Sequence, residues 1–165
     1  MKKVKLLLAV LLVCTFVFFA LGSGEDTSSD QGKGSADAQE KEEGEIGDYT
    51  VVIDSCRLAK DYSGKPVVIV KYVYANVANE EATSFMVAFD ETVYQNGVGL
   101  NESYILDKSA NYSSDNQMKE IKKGASLDVE VAYELNDTTT DIDVEVEELF
   151  SFNDTTITKT FSIAQ

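Results

Sequence analysis

Asn136, Asp137, Asp141 and Asp143 gather oxygen ligands in one short run, and extracellular modules hold calcium through such loops at weak affinity. The spacing matches no EF-hand, and no glycine sits mid-run to make its turn. On a chain this acidic, clustered carboxylates are usually a solvated face. Asp137, Asp141 and Asp143 are therefore weak metal candidates, and Glu145, Glu147 and Glu148 take the same two readings. Paired carboxylates also suit a glycosidase, yet a short chain whose acids alternate onto exposed positions offers no pocket to raise one pKa. Ser126 stands beside Lys122 and Lys123, but without a histidine or a positioned dyad the hydrolase reading fails. Tyr62, Tyr94, Tyr104 and Tyr112 lie near loops, where they could stack on sugars; with no tryptophan in the chain, simple packing is the better reading.

Composition narrows the chemistry further. The 165 residues carry 14 Lys+Arg against 29 Asp+Glu, a net charge of −15, with no histidine. Polyphosphate binding needs an electropositive face, so nucleic acid is excluded as a partner. Zero histidine removes the usual general base and the commonest zinc ligand, and no cofactor is implied. Lys119, Lys122 and Lys123 form the one basic cluster, which meets an acidic partner or balances its surroundings. Met86 and Met118 are too few for an adaptable groove. Four Asn-X-Ser/Thr sequons lie at Asn101, Asn111, Asn136 and Asn153, a pattern that carries meaning only where N-glycosylation operates.

These residues need elements to position them, and the first 22 residues are not among those. Lys2, Lys3 and Lys5 precede an apolar run from Leu6 to Leu21, and Ala20-Leu21-Gly22 puts small residues where signal peptidase would cut before Ser23. An uncleaved anchor is the alternative, because slightly short spans are tolerated. Lipidation would need a cysteine where Ser23 stands; Cys14 lies mid-run. With Cys14 removed or in the membrane, Cys56 is the sole thiol of the mature part and no internal disulfide is possible. It reads as a small buried hydrophobe in a strand rather than a reactive group. Residues 23–47 are rich in Ser, Gly, Asp and Glu with a net charge of −6, the composition of a disordered acidic linker.

Residues 48–165 are expected to form one all-β domain. Leu127, Val129, Val131, Tyr133 and Leu135 alternate with polar residues; so do Tyr49, Val51 and Ile53, Phe85, Val87 and Phe89, and Ile142, Val144 and Val146. Period two is the pattern of half-buried strands. Val67–Val73 is apolar on both phases, as suits a central strand covered on both sides. Turn residues at 61–65, 96–97, 123–124 and 153–154 divide about seven strands, near 49–58, 66–76, 84–95, 99–106, 126–135, 142–151 and 155–163. That count predicts an immunoglobulin-like β-sandwich. If the strands at 126–135 and 142–151 were neighbours, their outward acids would oppose one another, so they are expected in opposite sheets. Residues 107–118 read as a loop, with one helical turn within 117–122.

The segment Leu58-Ala59-Lys60-Asp61-Tyr62 with Gly64-Lys65-Pro66, then Tyr72, Tyr94-Gln95-Asn96-Gly97 with Leu100, and Ile121-Lys122-Lys123-Gly124-Ala125-Ser126, resemble domain-of-unknown-function family 5067. That family occurs in exported proteins and lipoproteins of Gram-positive bacteria. The resemblance implies an extracellular all-β domain and transfers no catalytic or binding residue; many relatives are lipid-anchored, and this chain departs from them at Ser23. The expectation is a non-catalytic binding or display module at the cell surface. Its partner is a surface protein contacted through loops or an unpaired edge strand, and only the N-terminal segment touches a membrane. The alternatives are a calcium- or glycan-binding module and, further off, a small hydrolase.

Overall fold

The computed structural model describes residues 42–104, 111–150 and 155–164. The expectations for the signal segment 1–22, linker residues 23–41, positions 105–110 and 151, and Asn153-Asp154 lie outside the described residues. The described residues belong to a compact unit running Asp37–Gln165. It holds two antiparallel four-stranded sheets, an all-β sandwich. Sheet one has the order β1 (Glu43–Ile46), β2 (Tyr49–Lys60), β3 (Pro66–Asn76), β6 (Ser126–Glu134). Sheet two has the order β5 (Val98–Gly99), β4 (Phe89–Gln95), β7 (Ile142–Glu148), β8 (Thr156–Phe161).

Alternation decides the core. Val51 and Ile53 of β2, Val68, Val70, Tyr72 and Tyr74 of β3, and Val129, Val131 and Tyr133 of β6 meet Val93 of β4, Ile142, Val144 and Val146 of β7 and Ile157 of β8 in one buried cluster. β3 is central in its sheet, and its outer-phase Val67 and Ile69 are buried as well. Its apolar run on both phases is thus explained. The strands at 126–134 and 142–148 do lie in opposite sheets, the outcome that like-charge avoidance favours.

Four expectations need correction. The sandwich begins inside the segment assigned to the linker: β1 pairs with β2, and Ile46, the linker's one branched aliphatic residue, is buried. A two-residue hairpin follows, with Gly47 at φ +58°, a conformation that favours glycine. Residues 85–88 are a helical turn, α1 (Phe85–Ala88), not the start of a strand. Phe85, Ala88 and Phe89 are buried while Val87 is exposed, the i, i+3, i+4 spacing of a helix. Phe85 and Phe89 join Tyr49, Tyr72 and Tyr74 in a ring cluster with centroids 5.2–6.0 Å apart, which pins α1 over the sandwich end. The strand expected at 99–106 reduces to β5 and a single bridge between Glu102 and Tyr133, because this segment leaves sheet two to cross to sheet one. The expected helical turn falls slightly earlier, as a 3-10 turn at Asp115–Met118.

Candidate functional site

The three weak metal candidates are put to different uses. Asp137 Oδ1 accepts hydrogen bonds from the backbone N–H groups of Thr139 (2.8 Å) and Thr140 (2.7 Å), and its Oδ2 accepts one from Thr140 Oγ1. These bonds favour the ionised carboxylate, so its pKa falls to about 2. Its oxygens organise the β6–β7 turn. Asp141 is exposed at the turn's exit, and Asp143 accepts from Thr160 Oγ1 at 2.8 Å on the outer face of β7. Among the described residues, no group of three or more His, Cys, Asp or Glu converges as a metal ligand set.

Glu145 and Glu147 line, with Asp90, Thr92 and Tyr94, a shallow hollow of about 140 Å³ on the outer face of sheet two. Register places Asp90 opposite Glu147, Thr92 opposite Glu145 and Tyr94 opposite Asp143. Thr156 Oγ1 donates to Glu147 at 2.7 Å. The outer face of sheet one neutralises itself instead: Arg57 pairs with Glu130, and Lys71 with Asp54 and Asp128.

The remaining candidates do not assemble. Tyr62 sits in the β2–β3 turn, Tyr94 on β4 and Tyr104 beyond the Glu102 bridge, while Tyr112 accepts a hydrogen bond from Gln117 Nε2. Lys119 donates to Asn116, and Lys123 pairs with Glu80. Cys56 is half-buried in β2, and burial pushes its thiol pKa up although Lys159 opposes this, so it is not activated.

Two features were missed from sequence. The reading that every acid lies on an exposed phase fails at Glu91. Phe89, Glu91, Val93 and Gln95 share one phase of β4, and Phe89, Val93 and Gln95 are buried. Burial first, and Glu102 second, push the Glu91 carboxyl up to about 8. Strict alternation counted from Phe89 would have found it. The second feature is an apolar end. Val77 after β3, Met86 and Val87 on α1, Met118 in the 3-10 turn and Phe150 after β7 are all exposed. Their segments are tied together: Thr83 bridges Ile121, and Leu149 N–H donates to Ala88 O at 2.9 Å. Phe150, 88% exposed, adopts φ +66°, a left-handed conformation that a bulky residue rarely takes. No sequence pattern marks it, since the five residues come from four separate segments.

Comparison with known proteins places these features in context. The family model "Domain of unknown function (DUF5067)" matches residues 24–148. Among curated proteins, none matches. Among solved structures, the chain is similar to a presumed lipoprotein, YcdA, of Bacillus subtilis at TM-score 0.57 and 15% identity, covering 76% of this chain and 39% of that one. It thus spans well under half of that relative's length. It is also similar to a presumed lipoprotein of Staphylococcus aureus at TM-score 0.53 and 17% identity, covering 75% of this chain and 94% of that one. At such identities the likeness is one of fold.

Proposed function

Since the chain belongs to the DUF5067 family, we propose that it is a non-catalytic module displayed at the cell surface, which docks a protein partner through the apolar end formed by α1, the 3-10 turn and Phe150 after β7. The observation that carries this reading is the exposure of Met86, Val87, Met118 and Phe150 at that end. Interface centres are enriched in aromatic residues and methionine and depleted of acids, and a monomer has no folding reason to hold such a group in water. The acidic hollow on sheet two is the poorer docking surface by the same criterion. Surface display is supported by the two presumed lipoproteins of similar fold and by the apolar N-terminal run. An immunoglobulin-like kinship belongs to the same reading. The order β2-β3-β6 with β5-β4-β7-β8 follows the A-B-E and C′-C-F-G arrangement, with non-strand chain beside β6 where strand D would pair.

The test is crosslinking on intact cells with the wild type, Phe150→Ser, Met86→Ser and a distant control, Tyr62→Ser. Phe150→Ser and Met86→Ser are expected to lose the captured protein while staying close to the wild-type melting temperature, since Phe150 is almost wholly exposed and Met86 is half-exposed. The control should capture as before. An unchanged set of neighbours from the Phe150 and Met86 variants would overturn the reading.

A further inference from the structure

Strand parity aims one carboxyl inward. Glu91, partly buried, lies between the buried Phe89 and Val93 on the core-facing phase of β4, with uncharged Val146 of β7 as its register partner. Across the sandwich stand Tyr72 of β3 and Tyr133 of β6, both buried, with their hydroxyls 3.4 Å apart. A third side is closed by the strap Leu100–Tyr104, which crosses from sheet two to sheet one. Leu100 N–H donates to Val93 O at 2.7 Å, Asn101 O accepts from Glu134 N–H at 2.8 Å, and Ser103 N–H donates to Ala132 O at 2.7 Å. The bridge to Tyr133 sets Glu102, itself exposed, in this strap at the outer margin of the same seam. The charged and titratable groups that act on Glu91 are Glu102 on the strap, Asp90 on its own strand, and Tyr72 and Tyr133 from the facing sheet. Among the described residues, no lysine or arginine is one of them.

We propose that Glu91 is a proton-operated latch for this seam: uncharged, it lets the strap close the edge between β4 and β6; ionised, it opposes Glu102 and loosens the strap. A carboxylate partly removed from water is disfavoured when no cation stands beside it, and a nearby anion adds to the cost. Accordingly, the carboxyl's pKa rises from its ordinary 4.5 to about 8. Between these values the folded state holds a proton that the unfolded chain releases. The stabilisation is therefore complete below about 4.5 and is lost as pH rises through about 8. The strap's hold on β6 then weakens across neutral to mildly alkaline pH.

The test uses the full chain. A carbon-detected NMR titration of the Glu91 carboxyl should show its midpoint near 8, and a midpoint at the ordinary carboxylate value would overturn the latch. At pH 9, the amides of Leu100, Ser103 and Glu134 should exchange roughly tenfold faster in the wild type than in Glu91→Gln; equal rates would overturn it. Should Glu91→Gln not fold, Glu102→Gln serves instead. Removing that charge should move the Glu91 midpoint downward, and an unmoved midpoint would remove Glu102 from the device.

Discussion

Gln95 lies fully buried at the end of β4 and makes four hydrogen bonds to one turn. Its Nε2 donates to the carbonyls of Asp137 (3.2 Å) and Thr140 (2.9 Å), and its Oε1 accepts from the N–H groups of Asn136 (2.9 Å) and Asp137 (3.2 Å). The side chain thus stands in for a missing strand partner across the 136–140 connection, and Asp137 completes the turn from the opposite side. Gln95→Met keeps the volume but strands these backbone groups away from water. It should lower stability by about 2–4 kcal/mol in urea unfolding, well above the cost of an ordinary surface change. A cost below about 0.5 kcal/mol would show that the turn holds without it.

Edges are the weak points of any sandwich, since unpaired strands invite pairing with other chains. β6 is protected along its free side. Asn116 Nδ2 donates to Asp128 O at 2.8 Å, Gln117 Nε2 to Glu130 O at 2.6 Å, and Ser103 N–H to Ala132 O. Edge strand β8 is guarded by Lys159. Its Nζ reaches the carbonyls of Ile53 (3.0 Å) and Asp54 (3.1 Å), which sit at the bulge in β2, and pairs with Glu42 at 3.1 Å. The bulge turns these carbonyls out of the ladder, and the ammonium caps them while tying sheet two to sheet one. Lys159→Met should destabilise by about 1–3 kcal/mol through the loss of charge-assisted bonds. It should also speed amide exchange in β1 more than in β3. Uniform exchange across both strands would show that the lysine does not hold this edge.

Charge is distributed unevenly over the protein. Sheet one spends its cations on its own acids, whereas the outer phase of sheet two carries Asp90, Asp143, Glu145 and Glu147 among threonines and Tyr94, with no Lys or Arg in register. Asp90 directly faces Glu147, an arrangement that avoidance of like charges alone would forbid. It is tolerated because both carboxylates stay in water and Thr156 solvates one of them. With −15 net charge, self-repulsion should be relieved by salt. Raising NaCl from about 10 to about 200 mM should increase the melting temperature by a few degrees. A fall on adding salt would mean that the ion pairs of sheet one outweigh the repulsion.

The sandwich was legible in the residues themselves. Alternation at Tyr49–Ile53, Leu127–Leu135 and Ile142–Val146 marks inward faces, and acids on adjacent outward positions separate β6 from β7, because side-chain period and like-charge repulsion act locally. The same alternation also contained Glu91 and Gln95, but only the folded sandwich shows that these inward-phase positions hold a carboxyl whose pKa is raised by burial and an amide bonded to a turn. α1 escaped because Phe85, Val87 and Phe89 satisfy period two over so short a stretch, whereas the face that is buried is Phe85, Ala88 and Phe89 at helical spacing, and packing against Tyr72 and Tyr74 decided between them. The apolar end joins residues far apart in the chain, and their adjacency exists only once the turns at that end are brought together by bonds such as Leu149 to Ala88.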